Sequence, residues 1–174
     1  MAVETLSAEP RHAGDPVVDF TLLGIDGETY SSQTARRQGM VLAVLFKTGC
    51  GACKYSLPYL QRLHEQYAAG SGGKFQVWGL SQDDAATTRE FARQYGITFP
   101  LLLDSDLSTT VQYRISHVPD LYLLTADDRI ADAVVGYFGR DGFNAIARQA
   151  AEFLAVPYVP IVRDEDDAPD IKPG

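Results

Sequence analysis

Hydrophobic residues fall into short runs and spaced stripes along the chain, and these predict strands that alternate with helices. Residues 40–46 are all apolar, which is typical of a strand that is covered on both faces. Leu57, Leu60, Leu63 and Tyr67 follow at a spacing that places them on one face of a helix. The sequence therefore predicts a buried strand followed by an amphipathic helix at the centre of the fold.

Further elements are predicted on both sides of this unit. Residues 17–23 and 28–30 can pair as a hairpin, because Asp26-Gly27 between them is a turn sequence. The order of elements indicates an α/β or α+β fold built around one layered sheet. The other predicted elements are strands at 75–80 and 99–104, helices from Asp83 or Asp84 to Tyr95 and at 107–113, a hairpin of 120–124 with 130–136, and a last helix that opens at Asp141 or Gly142.

A single domain is predicted between two polar ends. Residues 16–156 carry the predicted strands and helices, and a chain of 174 residues suits one domain. Residues 1–15 are mostly polar and are expected to form a flexible lead-in. Residues 157–174 include a run of charged residues, so they are expected to form an acidic, disordered tail.

Composition and charge argue against two classes of partner. The net charge of −8 speaks against nucleic acid, because phosphate binding needs clustered Lys and Arg. No apolar run approaches the roughly 18 residues that a membrane-spanning helix needs, so no membrane span is expected. Residues 1–9 have neither the basic start nor the apolar stretch of a signal peptide, which predicts a cytoplasmic protein. A periplasmic protein from which an export signal had been removed would read the same.

The two cysteines of the chain lie between the buried strand and the helix, as Cys50-Gly51-Ala52-Cys53. A thiol at the start of a helix meets unpaired backbone N–H groups and the positive end of the helix dipole, and both favour an anion. Such surroundings make a thiol more acidic and more reactive. We therefore interpret Cys50 as the reactive thiolate and Cys53, one turn into the helix, as its resolving partner.

Taken in order, these motifs resemble the thioredoxin superfamily. Pro58 lies five residues beyond the second cysteine, and Val118-Pro119 precedes a predicted strand, as in that superfamily's cis-proline loop. The early hairpin and the segments 79–83 and 99–104 are similar to the redoxin branch, which includes peroxiredoxins and TlpA-like thiol-disulfide oxidoreductases. The resemblance covers residues 16–156. It implies a thioredoxin-like α/β fold, with a central mixed sheet flanked by helices and an N-terminal β-hairpin extension.

The resemblance also implies a site and an activity. Pro119 is expected to follow a cis peptide bond and to pack against the cysteine pair, with Val118, Gly51 and Ala52 shaping the place where an extended substrate binds. An ordinary trans proline at the start of an edge strand is the alternative. The implied activity is exchange with protein disulfides or dithiols through a redox-active Cys50–Cys53 pair, which a dithiol protein of the thioredoxin type would reset. No organic cofactor and no metal ion are expected.

Some positions depart from the family's pattern. TlpA-like proteins commonly carry an acidic residue three positions after the second cysteine, where this chain has Ser56. Thioredoxin has a buried Asp six residues before the first cysteine, where this chain has Val44. The residue before the first cysteine is commonly Trp, and here it is Gly49. Asp120, directly after Pro119, is a candidate proton relay in place of the missing acids. The alternative is an Asp that only faces solvent or hydrogen-bonds at the start of a strand.

A thiol peroxidase is the nearest alternative activity. Peroxiredoxins use the pattern Pro-x-x-x-Thr/Ser-x-x-Cys, in which the hydroxyl positions a peroxide on the thiolate. Counted back from Cys50, the two required positions hold Ala43 and Lys47. Counted back from Cys53, they hold Phe46 and Cys50. Neither set fits, although an exposed thiolate of low pKa still reacts slowly with peroxide.

Three further alternatives compete with exchange chemistry. A binding module that keeps the fold without turnover is favoured by the missing acidic residues. A structural zinc site needs four ligands, and beyond the two thiols the chain has only His12, His64 and His117, without paired-ligand spacing. A structural disulfide between the two cysteines would close a very small loop and would constrain the unfolded chain little.

Overall fold

The computed structural model describes residues 9–136 and 139–167 of the chain. A π-helical turn, His64–Ala68, directly continues the second helix. The elements follow in the order β1 (Thr21–Leu23), β2 (Thr29–Ser31), α1 (Ser32–Gln38), β3 (Met40–Phe46), α2 (Gly51–Leu63), β4 (Phe75–Ser81), α3 (Ala85–Tyr95), β5 (Leu101–Leu103), α4 (Ser108–Gln112), β6 (Asp120–Leu124), β7 (Asp132–Val135) and α5 (Gly139–Leu154).

The central sheet has the strand order β5-β4-β3-β6-β7. β3 is parallel to β4, and β4 is parallel to β5, whereas β6 is antiparallel to both β3 and β7. All seven residues of β3 are buried, as expected for a strand in the middle of a covered sheet. β1 and β2 form a separate antiparallel hairpin. The predicted α/β fold with a mixed sheet and an N-terminal hairpin is therefore confirmed.

The helices α2, α3 and α5 share one face of the sheet. The ring of Phe46 lies 5.5 Å from that of Phe91 on α3, and the ring of Tyr59 on α2 lies 5.1 Å from that of Phe143 on α5. The opposite face receives Tyr113, just after α4, whose ring centroid is 4.7 Å from that of Tyr122 on β6. Side chains of a strand alternate between the faces, so this division decides which residues of β6 can approach α2.

Helix boundaries follow from local capping in two cases. The Asp84 carboxylate accepts a hydrogen bond from the Thr87 N–H at 2.8 Å and caps α3, while Gly96 ends that helix in the left-handed region at φ 65°. Ser31 caps α1 in the same way through the Thr34 N–H. The hydrophobic pattern does not predict α1, because its sequence, Ser-Gln-Thr-Ala-Arg-Arg-Gln, offers almost no apolar face.

The segment that continues from α5, which we call the C-terminal strap (residues 157–167), corrects the prediction of a disordered tail for that stretch. Ile161 and Val162 are only 3% and 2% exposed, and their N–H groups both donate to the side chain of Asn144 on α5 at 3.0 Å. Asp166 pairs with Arg62 of α2 at 2.7 Å. Two buried apolar residues and one ion pair hold the strap against α2 and α5. Residues 168–174 lie outside the described residues.

The start of the described chain also contacts the domain. The Arg11 backbone N–H donates to the carbonyl of Tyr113 at 3.1 Å, and its guanidinium donates to the carbonyl of Gln112 at 2.9 Å. Residues 9–15 are therefore attached to the end of α4 rather than loose, which corrects that part of the predicted lead-in. Residues 1–8 lie outside the described residues.

None of the helices within residues 9–136 and 139–167 combines the length and the apolar character that a membrane crossing needs. The helix α5 has 16 residues, and its buried residues lie along one side.

Candidate active site

Cys50 lies where the central strand turns into α2. β3 ends at Phe46, and the Cys50 N–H then donates to the carbonyl of Lys47 at 3.3 Å, which closes a tight turn. Cys50 has extended backbone angles (φ −80°, ψ 124°) and is the N-cap residue of α2. Its carbonyl accepts the N–H of Lys54 at 3.0 Å, as in the first turn of a helix. Cys50 therefore lies at a helix N-terminus, as predicted.

The sulfur of Cys50 contacts two backbone groups. It accepts a hydrogen bond from the Cys53 N–H, with 3.3 Å between nitrogen and sulfur. Its thiol hydrogen can be donated to the Val118 carbonyl, 3.5 Å away. Cys50 is 6% exposed, and both cysteines are free thiols in this structure. An N–H directed at the sulfur stabilises a thiolate there, because hydrogen bonds to the charged form favour it.

Cys53 is fully buried behind Cys50. Burial raises the pKa of the Cys53 thiol well above its usual value, and the hydrogen bond with Cys50 raises it further. The backbone and the charge of Lys47 act in the opposite direction and favour ionisation. The two thiols therefore have different environments, with the second one shielded from solvent.

The loop before β6 closes the site on one side. The peptide bond between Val118 and Pro119 is cis, as the resemblance implies. Val118 is 8% exposed, and its carbonyl is the group that contacts the Cys50 sulfur. Across the turn, Gly51 is exposed and a β-carbon added there would meet nothing within 4 Å, whereas Ala52 is fully buried. Of the four predicted site-shaping residues, Gly51 and Ala52 lie within the cysteine turn and Val118 contacts Cys50, while Pro119 follows Val118 across the cis bond.

A cleft of about 700 Å³ opens beside Cys50, between the cysteine turn, the cis-proline loop and α4. Its lining includes Lys47, Gln82, Thr110, His117 and Gly136, together with Cys50. Sequence patterns alone did not single out Gln82 or Thr110. Gln82 directly follows β4, so its place at the same sheet edge as Cys50 is the signal that could have found it.

Asp120 is fully buried at the start of β6. Its Oδ1 accepts the Gly136 N–H at 3.0 Å, while Oδ2 has no hydrogen-bond partner within the described part of the chain. Burial raises the pKa of Asp120 to about 6, against the lowering effect of the Gly136 N–H and of His117. A buried carboxyl with a raised pKa can hold or release a proton near neutral pH.

The strand register decides where the Asp120 side chain goes. Val44 pairs with Leu121, and Leu42 pairs with Leu123. Leu42, Leu121 and Leu123 line a small cavity with Ile146 of α5, so they face the side of the sheet that carries α2. By alternation, Asp120 leaves β6 on the opposite face from Cys53. The charged or ionisable groups that shift the Cys53 pKa are Cys50 and Lys47.

The two positions at which related proteins carry acidic residues are occupied here by side chains that cannot take over the role of a carboxylate. The Ser56 hydroxyl is buried and donates to the Ala52 carbonyl at 2.7 Å, and Val44 is fully buried in β3. Within the described residues, no three His, Cys, Asp or Glu side chains are grouped so that they could hold a metal ion.

The chain is similar to several known proteins. Thioredoxin-like protein YneN of Bacillus subtilis is 28% identical over 123 residues, 71% of each chain, and the thiol-disulfide oxidoreductase ResA of Bacillus thuringiensis is 22% identical over 128 residues, 74% of this chain and 72% of ResA. A solved structure of a thioredoxin-family thiol:disulfide interchange protein from Chlorobium tepidum has a TM-score of 0.64 at 19% identity, and covers 82% of this chain and 99% of its own. The fold is thus thioredoxin-like. The sequence profile of the AhpC/TSA family matches residues 13–133, so the chain belongs to the AhpC/TSA family.

Proposed function

We propose that this protein is a thiol-disulfide oxidoreductase that exchanges a dithiol for a disulfide with a protein partner through Cys50 and Cys53. The observation that carries the proposal is the geometry of the pair. The leading sulfur is the N-cap of a 13-residue helix and accepts a backbone N–H, and the second thiol is buried one turn behind it. Curated relatives bear the name thiol-disulfide oxidoreductase, which supports the same assignment.

In the first step, Cys50 loses its proton and its sulfur attacks one sulfur of the substrate disulfide. The substrate S–S bond breaks, a mixed disulfide forms with Cys50, and the released sulfur takes up a proton. The Cys53 N–H and the helix N-terminus stabilise the negative charge on Cys50 before the attack. The Val118 carbonyl holds the neutral thiol when no substrate is bound.

In the second step, Cys53 loses its proton and attacks the Cys50 sulfur. The mixed disulfide breaks, the second substrate sulfur leaves and takes up a proton, and the Cys50–Cys53 disulfide forms. Two protein thiols are thereby oxidised while one substrate disulfide is reduced to two thiols. Because burial raises the Cys53 pKa, deprotonation is the demanding part of this step, and the charge of Lys47 assists it.

Resetting the pair requires a partner that supplies two electrons and two protons. A dithiol protein of the thioredoxin type meets this need by the same exchange chemistry run in reverse. The reaction uses sulfur atoms only, so it calls for no organic cofactor and no metal ion.

The relay role of Asp120 remains a proposal. What supports it is the unpartnered, buried Oδ2 and the pKa of about 6. Because the side chain lies on the opposite face of the sheet from Cys53, a proton would have to pass around the end of β6 through an intervening water. Asp120→Asn would then slow the second step and change its pH profile, while the rate of the first step stays the same. An unchanged pH profile of the second step would exclude the relay.

The function is tested by a redox titration of the Cys50–Cys53 pair beside two turnover assays. Reduced protein is mixed with a protein disulfide, such as insulin, and separately with hydrogen peroxide. We expect faster turnover of the protein disulfide and complete loss in Cys50→Ser. Faster turnover of peroxide would identify a thiol peroxidase instead. Failure to react with either substrate would identify a binding module.

A further inference from the structure

Among the residues that line the cleft beside Cys50, Lys47 carries a positive charge, although the whole chain has a net charge of −8. Lys47 lines the cleft and is exposed, and His117 lines the other side near Val118. Within the described residues, no carboxylate lines the cleft, and Lys47 is in none of the ion pairs. The Lys47 ammonium, which pairs with no carboxylate of the described chain, therefore lines the same cleft as the reactive sulfur in an acidic protein.

Three carboxylates in segments that adjoin the lining residues accept hydrogen bonds from the protein itself. Asp83 accepts the Thr48 N–H at 2.7 Å. Asp104, fully buried, accepts the backbone N–H groups of Thr109 at 2.8 Å and Thr110 at 2.9 Å, and the Thr110 hydroxyl at 2.6 Å. Asp120, also buried, accepts the Gly136 N–H through one oxygen. None of these three acids is among the residues that line the cleft.

Two more features make the cleft favourable for an anion near the sulfur. α2 begins at the cleft, and the N-terminus of a 13-residue helix carries a partial positive charge. Gln82 and Ser116 add polar side chains with hydrogen-bond donors to the lining. Leu107, Ile115 and Val118 supply an apolar portion. A substrate segment that carries both a carboxylate and an apolar side chain would therefore complement the lining of the cleft.

We propose that the cleft selects protein substrates whose disulfide is flanked by carboxylate side chains, with Lys47 as the main specificity-determining residue and His117 as a secondary one. This inference rests on the proposed function, because it names the substrate class for the same Cys50 site. The carboxylate would approach Lys47 while the neighbouring sulfur approaches Cys50. Attraction of this kind raises the rate of encounter and falls with added salt.

The test uses three peptides of equal length, each with one intramolecular disulfide and with Asp, Asn or Lys at the two flanking positions. Pre-reduced protein is mixed with each peptide, and the second-order rate constant is followed by quenching and mass spectrometry. Each value is divided by the rate constant of the same peptide with dithiothreitol, which removes differences in intrinsic disulfide reactivity. At low salt we expect the Asp peptide to react about fivefold faster than the Asn peptide, and the Lys peptide to react slowest.

Single substitutions identify the side chain that causes the preference for the Asp peptide. Lys47→Gln is expected to bring the ratio of Asp to Asn peptide close to one, Lys47→Glu to reverse it, and His117→Gln to reduce it in part. The ratio is informative even though Lys47 also acts on Cys53, because a slower second step affects all three peptides alike. Lys54→Gln is the matched control: Lys54 is exposed on α2 next to Cys53 but does not line the cleft, so the preference should persist.

Equal normalised rate constants for the three peptides in the unmodified protein would overturn this inference and leave the proposed function intact. A preference that survives Lys47→Gln would overturn it too. Absence of reaction with every peptide would overturn both the inference and the proposed function.

Discussion

The backbone N–H of Cys53 donates a hydrogen bond to the sulfur of Cys50 across 3.3 Å. This contact exists because Cys50 is the N-cap of α2 and Cys53 stands three residues later, where a capping acceptor meets its donor. A sulfur thus occupies the position that a Ser or Asp oxygen holds in most caps. The same bond that starts the helix also stabilises negative charge on the thiol that we propose to be the nucleophile.

Cys53→Ser should separate the two steps of the proposed exchange. The substituted residue keeps its backbone N–H, so the first attack by Cys50 is expected to proceed, but the mixed disulfide cannot be resolved. Non-reducing mass spectrometry after mixing with a protein disulfide should show the covalent complex accumulating. Cys50→Ser is the control and should show none. Equal amounts of complex in the two variants would contradict the assignment of roles.

Asp120→Asn should change how stability depends on pH. The pKa of Asp120 is raised to about 6 in the folded protein, chiefly by burial, whereas an unfolded Asp has a pKa near 3.9. Between these values the unfolded state has lost the proton and the folded state keeps it, so this group's contribution to stability falls as pH rises from about 4 to 6. Above this window the cost stays constant at about 3 kcal/mol, of which a small part is already present at pH 4.

The measurement for Asp120 is urea unfolding of both proteins at several pH values. The stability of Asp120→Asn relative to the unmodified protein should rise by about 2 kcal/mol between pH 4 and pH 7. The difference isolates Asp120, because other carboxylates such as Asp19 and Asp166 have lowered pKa values and act with the opposite sign in both proteins. If the free energy of unfolding depends on pH in the same way in both proteins, the pKa of Asp120 is not raised in the folded protein.

Asp166→Asn should loosen the C-terminal strap. Asp166 accepts two hydrogen bonds from the Arg62 guanidinium, which lower its pKa to about 2 together with the Arg163 N–H. The contribution of this pair is present at neutral pH and is lost as pH falls through about 2. Since the pair is partly exposed, its loss should cost about 1 kcal/mol.

Amide hydrogen exchange measures directly how firmly the C-terminal strap is held against the domain. The N–H groups of Ile161 and Val162, which donate to Asn144, should exchange faster in Asp166→Asn, while those of β3 should not change. Asp164→Asn provides a control, because Asp164 pairs with Arg140 but is fully exposed, and its removal should have little effect. Similar exchange in the two variants would mean that the Arg62–Asp166 pair does not hold the strap.

Gly39→Ala should destabilise the fold through a backbone clash. A β-carbon at Gly39 would lie 2.2 Å from the carbonyl oxygen of Lys74, which itself accepts the Met40 N–H. Neither backbone group can move without disturbing the start of β3, so we expect a loss of about 2 kcal/mol in urea unfolding. Gly70→Ala serves as the control, since a β-carbon there meets nothing within 4 Å. A loss no larger than that of the control would contradict the steric argument.

Short-range patterns in the sequence determined most of the elements and the position of the reactive pair. Seven consecutive apolar residues are typical of a strand with both faces covered, and β3 has the predicted bounds. Asp84 and Gly96 cap α3 through bonds to groups a few residues away, so sequence alone locates that helix. The Cys50–Cys53 spacing likewise specifies an N-cap contact within one turn.

The tertiary structure decided what depends on contacts between distant residues. Whether Asp120 faces Cys53 follows from the register of β6 against β3, and a shift of one residue would reverse it. The strap adheres to α2 because Arg62 meets Asp166 across a separation of 104 residues. The place of Lys47 in the cleft beside Cys50 depends on how the cis-proline loop and α4 enclose that cleft. Local sequence patterns do not predict these contacts, because each one forms only when distant segments of the chain pack together.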